Sequence, residues 1–406
     1  MSSSLSSPAA HLNDDKRKLR IAVLNRTFST TGGGAERYSI ALVEQLAAKH
    51  EIHVFAQEID HKWPGVTYHH VSAPLLKPRW INQLWFATCT WWSTRRGFDV
   101  VHSHENTWHG DIQTVHVLPV KYNLFHGRKG LQRALRWIKV VTSPRLLTYL
   151  GLEHLRYAIH QGRKIVVTSD SLRAIMETSY PACWEIISVI TPGITMPQLP
   201  VTQVRKSEAR MLLGLPPIEH CMLFVANDYR KKGLQTLLAA LAQFPVDFIL
   251  AVVGNQSQLS FFRAQAKVLK VEKRVFFLGS LKNVAPAYEA ADCLVHPTLE
   301  DTFAMAVLEA MSYGLPVIVS GPKYCGIAGL LTHGANALIL GSPTDASQLR
   351  GTLEQVLTQP ALQTQLSQGA TDFSRAYQWS QLALQQEALY FQCLQAKSMT
   401  NAQSQV

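Results

Sequence analysis

The 406-residue sequence lacks the features that identify several large classes of protein. Its six cysteines stand singly, without a Cys-x-x-Cys pair, and the sixteen histidines include no His-Glu-x-x-His segment. Structural zinc sites and disulfide frameworks are therefore not expected. No stretch reaches the roughly 18 uncharged apolar residues that cross a bilayer. Residues 1–10 lack the basic-then-apolar layout of a signal peptide. We therefore expect reduced thiols, no metal site and a cytoplasmic location.

Charged residues make up only 17% of the chain, yet the net charge is +11. An excess of basic residues suits nucleic acid, an anionic membrane or an anionic substrate. The sequence contains no helix-turn-helix, zinc-finger or RNP-type motif, so we expect no nucleic-acid partner. The remaining two partners, a membrane surface and an anionic small molecule, stay open at this point.

Alternation of apolar strands and amphipathic helices runs through both halves of the chain, which is long enough for two domains. The fold class predicted is α/β, with two doubly wound Rossmann-like domains that face each other across a deep cleft. A proline-rich connection over residues 195–217 is expected to join them. The predicted limits are a disordered tail at 1–18, an N-terminal domain at 19–195, a C-terminal domain at 196–378, a helix at 379–396 that packs back toward the N-terminal domain, and a tail at 397–406.

A glycine-rich turn, Thr31-Gly-Gly-Gly-Ala-Glu-Arg37, follows the first strand and opens a helix. Glycines at such a turn let backbone N–H groups approach a ligand, although an ordinary strand–helix turn favours glycine too. The spacing is not Gly-x-Gly-x-x-Gly, and the second strand ends at Phe55-Ala-Gln57 rather than at an acidic residue. A dinucleotide site is therefore disfavoured.

The second half carries two candidate ligand-binding segments. Arg230-Lys-Lys-Gly233 follows a strand of the second sheet. Its cationic side chains could neutralise a diphosphate, or the segment could be an ordinary solvated turn. Asp301 and Glu309 stand eight positions apart, before and within an apolar helix. Asp301 could cap that helix. Glu309 has apolar neighbours on both sides, and a buried carboxylate needs a partner. The cations suit the phosphates of a nucleotide sugar, and the two carboxylates suit its hydroxyl groups. Together they indicate a nucleotide-sugar site.

These segments resemble the retaining glycosyltransferases of family 4, which have the GT-B fold. The resemblance rests on Lys-Lys-Gly after a strand and on an acid-x-Phe-x₅-Glu-Ala-Met-x-x-Gly-x-Pro-Val segment that begins at Asp301. It covers most of residues 20–395. Within the family, the stretch from Asn227 through Pro297 looks most similar to bacterial lipopolysaccharide core glucosyltransferases.

The resemblance implies a role for each matching residue. Glu309 would hold the ribose of the donor nucleotide, and Asp301 or its neighbour Glu300 would contact the donor sugar. Lys232 and Lys231 would lie on the diphosphate. Gly33 and Gly34 would approach the donor phosphate, and Phe303 and Ala304 would line the donor sugar. His116 would lie near the reacting sugar, although a packing histidine after a strand is an equal alternative. Asp301, His116 and Lys232 form the expected catalytic set.

The sequence departs from the family pattern at two positions. Asp301 stands where the family has glutamate, and Ala304 stands where it has glycine. Both departures leave the identity of the donor sugar open. The sequence also has no Asp-x-Asp motif, which metal-dependent transferases of the other main fold use to bridge a diphosphate. We therefore expect no cofactor and no metal requirement, with retention of anomeric configuration.

A basic and aromatic segment, residues 121–139, suits an anionic membrane surface or a solvated helix face. With the resemblance, it predicts a cytoplasmic enzyme on the inner face of the membrane. That enzyme would transfer a hexose, first of all glucose from UDP-glucose, to a lipopolysaccharide core or other glycan or lipid-linked acceptor. GDP-mannose or another donor, or nucleotide-sugar binding without turnover, are the alternatives.

Overall fold

The computed structural model describes residues 17–30, 33–75, 77–245 and 247–403. Most of the tail expected at 1–18 and the end of the tail expected at 397–406 lie outside the described residues. Residues 20–375 form two α/β units, and each has one parallel sheet with helices packed on it.

The first sheet has seven strands in the order β5-β3-β1-β6-β7-β8-β9, and every neighbouring pair is parallel. Their interior residues are mostly buried on both faces, which explains the apolar runs seen in the sequence. Strands β2 and β4 form a separate two-stranded pair. The strands are β1 Arg20–Leu24, β2 Thr27–Phe28, β3 Glu51–Ala56, β4 Glu58–Ile59, β5 Val66–His70, β6 Val100–Ser103, β7 Ile112–Val115, β8 Lys164–Val167 and β9 Ile187–Val189.

The second sheet has six parallel strands in the order β12-β11-β10-β13-β14-β15. The strand order reverses beside β10, so the loops after β10 and β13 leave the same edge of the sheet at its switch point, where ligands of such sheets bind. The strands are β10 His220–Val225, β11 Phe248–Val253, β12 Val275–Gly279, β13 Cys293–His296, β14 Val317–Ser320 and β15 Leu338–Leu340.

Helices cover both sheets. They are α1 Gly34–Leu46, α2 Arg79–Thr94, α3 Val120–Phe125, α4 Gly130–Val141, α5 Pro144–Arg156, α6 Asp170–Ser179, α7 Gln203–Leu212, α8 Leu234–Leu241, α9 Leu259–Val268, α10 Ala285–Ala290, α11 Met305–Ser312, α12 Ala346–Thr358, α13 Pro360–Arg375 and α14 Trp379–Gln403. Short 3-10 helices lie at Pro181–Ile186, Gln256–Gln258, Glu272–Arg274 and Gly326–Leu330. Across the described residues, no helix is long and apolar enough to cross a membrane.

Two segments differ from the sequence-based expectation. The connection expected at 195–217 contains helix α7, which packs on α10 of the second unit. The Thr202 side chain caps this helix by accepting a hydrogen bond from the Arg205 N–H. The prolines nearby favour an irregular connection, so this cap is not predicted from the sequence. Helix α14 continues to Gln403, beyond the predicted end at residue 396. Its Tyr390 and Cys393 are buried in the core of the first unit, so the end of the chain spans both units.

Candidate active site

The loop between β13 and α11 is organised around the carboxylate of Asp301, which is about 15% exposed. One oxygen accepts hydrogen bonds from the backbone N–H groups of Ala304 at 2.9 Å and Phe303 at 3.3 Å. The other lies 2.6 Å from Lys232 Nζ and 3.0 Å from His296 Nε2. Asp301 therefore holds the turn that precedes α11, whose N-cap is Ala304, and ties this turn to the loop after β10.

The charge state of Asp301 follows from these partners. Burial alone would raise the pKa of Asp301, but the hydrogen bond from His296 and the charge of Lys232 outweigh burial and hold that pKa well below its usual range. Burial also lowers the pKa of His296, so a neutral imidazole donates its Nε2–H to an ionised carboxylate. Neither oxygen of Asp301 is left for a sugar hydroxyl unless one of these bonds exchanges.

Two further residues of the predicted donor site, Lys231 and Glu300, contact each other beside Asp301. Lys232 Nζ also donates to the Glu300 backbone oxygen at 2.8 Å. The Lys231 Nζ lies 2.8 Å from a Glu300 carboxylate oxygen, and both of those side chains are exposed. Lys231 and Lys232 thus both contact the loop that carries Asp301.

Phe303 and Ala304 complete the loop. Phe303 is buried, and its backbone oxygen accepts the Ile327 N–H at 2.9 Å. Ala304 has φ 76° and ψ 70°, in the left-handed region that a β-carbon disfavours by about 1–2 kcal/mol. The backbone thus keeps the conformation that suits the glycine of the family pattern, and the loop accommodates the extra methyl group.

The second carboxylate, Glu309, lies inside α11 and is about 12% exposed. Arg37 NH1 lies 2.7 Å from one of its oxygens, and the Tyr288 hydroxyl donates to the other at 2.6 Å. The sequence argument that a carboxylate in this helix needs partners is consistent with this geometry. It did not identify Arg37 or Tyr288 as the partners, although Arg37 ends the glycine-rich motif.

The glycine-rich turn faces α11 across the cleft. Gly33 is the N-cap of α1, and a β-carbon added to Gly34 would stand 3.4 Å from the Met305 side chain. A cavity of about 530 Å³ lies between the two units and is lined by residues of both, including Arg37, Glu309 and Trp379. Thr31 and Gly32 of the motif lie outside the described residues.

His116 follows β7 and contacts the loop of Asp301 from the other unit. Its backbone oxygen accepts a hydrogen bond from the Thr302 hydroxyl at 2.8 Å. Its Nε2 lies 2.9 Å from Nδ1 of His104, and its ring makes a T-shaped contact with the Tyr38 ring. Burial, with a smaller effect of Arg156, lowers the pKa of His116 to about 3, so the imidazole is neutral. Sequence reasoning did not single out His104 or Thr302.

The predicted residues therefore form two adjacent groups. Glu309 lines the cleft cavity, and a β-carbon on Gly34 would contact Met305, another lining residue. Lys232, Asp301 and His116 are instead connected through the β13–α11 loop. Within the part of the chain that the structure describes, no group of three or more His, Cys, Asp or Glu side chains is placed to hold a metal ion.

A two-unit Rossmann-like architecture with its candidate ligand groups in the cleft defines a GT-B protein. Two family models match successive parts of the chain: "Glycosyltransferase Family 4" over residues 32–196 and "Glycosyl transferases group 1" over residues 207–373. The chain thus belongs to the GT-B glycosyltransferases of the group 1/family 4 type and is a transferase enzyme, as the sequence resemblance predicts.

Individual relatives are distant. The lipopolysaccharide glucosyltransferase WaaG of Escherichia coli is 26% identical over 238 residues, which span 57% of this chain and 63% of that protein. A D-inositol 3-phosphate glycosyltransferase of Frankia alni is 26% identical, with 86% of this chain and 92% of that protein covered.

Solved structures share the fold. A crystal structure of WaaG matches with a TM-score of 0.78 at 21% identity, covering 91% of this chain and 98% of that one. The structure of Anabaena HepE in complex with UDP-glucose matches with a TM-score of 0.71 at 16% identity, covering 90% of this chain and 98% of that one. At these identities the likeness establishes the architecture and leaves the substrates to other arguments.

Proposed function

We propose that this enzyme is a retaining glucosyltransferase that uses UDP-glucose and acts on a lipopolysaccharide core or another cell-surface glycan or glycolipid. The observation that carries the proposal is the position of Glu309 in a cavity between the two units, opposite the glycine-rich turn and on the helix that follows the Lys232–Asp301 loop. The similarity to WaaG, whose name specifies glucosyl transfer to lipopolysaccharide, supports the acceptor class. The complex of HepE with UDP-glucose supports the donor.

The reaction proposed is a same-face displacement at the anomeric carbon. The bond from that carbon to the donor phosphate oxygen breaks, and the bond to the acceptor oxygen forms on the same face. The acceptor proton passes to the departing phosphate. The cations of Lys231 and Lys232 stabilise the developing negative charge. Neutral His116 can donate or accept one hydrogen bond beside the sugar, without serving as an acid at neutral pH.

We propose further that transfer needs no metal. The two lysines lie on the loop after β10, at the edge of the sheet where ligands bind. Two positive charges at this position can compensate a diphosphate in the way that Mg²⁺ does in other transferases.

A thermal-shift panel with UDP, GDP, ADP and their sugar conjugates, first in EDTA and then in Mg²⁺, tests the donor and the metal proposal together. We expect UDP and UDP-glucose to raise the melting temperature in EDTA, since a ligand that binds only the folded state stabilises it. A response to GDP compounds alone would replace the donor, and a response only in Mg²⁺ would contradict metal independence.

We also propose that helix α4 binds an anionic membrane surface. Leu131, Leu135 and Ile138 are 76%, 57% and 58% exposed and follow helical spacing, so they form one apolar stripe. Arg133 and Lys139 are exposed on the same helix. An apolar stripe with interleaved cations matches the boundary between anionic headgroups and acyl chains.

Sedimentation with vesicles tests this surface. We expect binding to vesicles that contain phosphatidylglycerol, weaker binding to pure phosphatidylcholine, and a loss of about tenfold or more in Leu135→Glu because a charge replaces buried apolar area. Met211→Glu is the matched control, since Met211 is 78% exposed on α7 of the other unit. Equal binding of both variants would contradict a role for α4.

The D-inositol 3-phosphate glycosyltransferase of Frankia alni supports a second acceptor, a phosphorylated cyclitol, because its alignment covers 86% of this chain. Incubation with UDP-glucose and inositol 3-phosphate, followed by mass spectrometry, would detect that product. A hexosyl adduct on inositol phosphate, but not on a lipopolysaccharide core, would favour this second function.

A further inference from the structure

The two carboxylate oxygens of Glu309 both have protein partners. Arg37 NH1 lies 2.7 Å from Oε1, and the Tyr288 hydroxyl donates to Oε2 at 2.6 Å. Arg37 belongs to the first unit and Glu309 to the second, 272 positions further along the chain. If Glu309 binds the donor ribose, as proposed above, the ribose hydroxyls must take over at least one of these two bonds.

The two partners differ in how readily they can be replaced. Tyr288 is buried, and burial together with the Glu309 charge raises its pKa well above the usual value, so it remains a neutral donor. The side chain of Arg37 is about 36% exposed and lines the cleft cavity. The Glu309 charge raises the pKa of Arg37 despite its burial, so the guanidinium stays charged. Arg37 is therefore the partner that can move into the cavity.

Arg37 also has hydrogen-bonding capacity to spare. A guanidinium has five N–H groups in a planar fork, which suits the oxygens of a phosphate. One of the terminal nitrogens binds Glu309, and the buried Nε has no hydrogen-bond partner among the residues that the structure describes. The backbone N–H of Arg37 donates to the Gly33 oxygen at 3.2 Å, which places this side chain one helical turn from the glycine-rich loop.

A nucleoside alone and a nucleoside diphosphate would affect this ion pair differently. Ribose hydroxyls are neutral, so a nucleoside that occupies Glu309 leaves the Arg37 charge without a partner, which is costly in a partly buried site. A diphosphate is attached to the same ribose and supplies the missing negative charge. The ligand that displaces Arg37 from Glu309 thereby provides a new partner for it.

We propose that Arg37 is a donor-binding residue that exchanges its bond to Glu309 for the diphosphate of the nucleotide sugar when the donor ribose binds Glu309. This role rests on the proposed function and extends it, because Arg37 then selects diphosphates over nucleosides. The basic residues predicted for the diphosphate, Lys231 and Lys232, come from the second unit. Arg37 adds a cation from the first unit and joins the two units through the ligand.

Calorimetric titration of wild type and Arg37→Gln with UDP and with uridine tests the proposal without an acceptor. We expect Arg37→Gln to weaken UDP binding by about tenfold to a hundredfold, the usual effect of losing a charge-assisted hydrogen bond. Uridine binding should stay equal or become tighter, since the competing ion pair is gone. Arg350→Gln is the matched control, because Arg350 is 41% exposed and ion-paired with Glu354 on α12.

Two outcomes would overturn the role of Arg37. An equal loss of UDP and uridine affinity would mean that Arg37 only holds Glu309 in place, and tighter UDP binding would make it a competitor of the donor. Arg37→Lys keeps a charge with fewer donors and should bind UDP with intermediate affinity, so it tests the role if Arg37→Gln does not fold by circular dichroism. If wild type binds neither ligand, or if Glu309→Ala leaves UDP affinity unchanged, the proposed nucleotide site itself is wrong.

Discussion

Replacing Asp301 tests whether one carboxylate organises the β13–α11 loop. In Asp301→Ala the N–H groups of Phe303 and Ala304 and the imidazole N–H of His296 lose their acceptor, while Lys232 keeps only the Glu300 backbone oxygen and loses its carboxylate partner. A buried donor without a partner costs about 1–3 kcal/mol. The expected loss in the free energy of unfolding is therefore about 3–6 kcal/mol.

Asp301→Asn separates charge from hydrogen bonding. One amide oxygen can still accept the Ala304 and Phe303 N–H groups, whereas the amide nitrogen now faces Lys232 and His296. We expect a loss of about 2–3 kcal/mol, since a hydrogen bond to a charged group is worth about 1.5–3 kcal/mol. The control is Glu300→Gln, which removes an exposed ion pair with Lys231 and should cost less than about 1 kcal/mol.

Urea unfolding followed by circular dichroism measures these differences, and pH adds a second criterion. The pKa of Asp301 is depressed in the folded protein, so its stabilising effect is present above the ordinary carboxyl pKa of about 4 and disappears as the pH falls further. The difference between wild type and Asp301→Asn should be constant from about pH 7 to 8 and shrink as the pH falls below about 4. Equal stability of the two proteins at pH 7 would refute the assignment of Asp301 as the organising carboxylate.

The other predictions concern Ala304 and His104. Ala304→Gly should leave the melting temperature unchanged or raise it, because relief of the left-handed backbone strain, about 1–2 kcal/mol, offsets the added freedom of the unfolded chain. Ala304→Val should lower the free energy of unfolding by about 2 kcal/mol, because a β-branched side chain tolerates this backbone conformation less well. Burial lowers the pKa of His104 well below 6.5, so the unfolded chain binds more protons and wild type should lose stability as the pH falls from about 6.5. His104→Asn should reduce that slope by about 1.4 kcal/mol per pH unit, and an unchanged slope would show that His104 is protonated in the folded protein.

The sequence predicts much of both sheets because several buried strands, such as β1, β10 and β11, are apolar runs that a helix follows. The runs at 221–225 and 293–295 correspond to β10 and β13, and together they locate the edge at which Lys232 and Asp301 meet. The order of the strands and the cleft follow from the rules for doubly wound sheets.

The contacts across the cleft could not be predicted from local sequence. Thr302 and His116 are 186 positions apart, and neither the spacing nor the hydrophobic pattern of one segment refers to the other. The same holds for the bond between Ser169 and the Thr302 oxygen. Such pairs depend on how two separately folded units face each other, which is a property of the tertiary structure. Reasoning from burial indicated that Glu309 needs a partner without indicating which one.

Three ion pairs in or beside the cleft combine the same two kinds of side chain. Each of them, Arg37–Glu309, Lys231–Glu300 and Lys232–Asp301, joins a cation suited to a phosphate with a carboxylate suited to a hydroxyl. A nucleotide sugar carries both complementary groups, so the proposed donor can offer phosphate oxygens to the cations and hydroxyls to the carboxylates. Because these six charges cancel, the net charge of +11 must come from other parts of the chain, which include the exposed cations of α4. The excess positive charge is thus not set by these three ion pairs, and the membrane surface proposed for α4 would account for part of it.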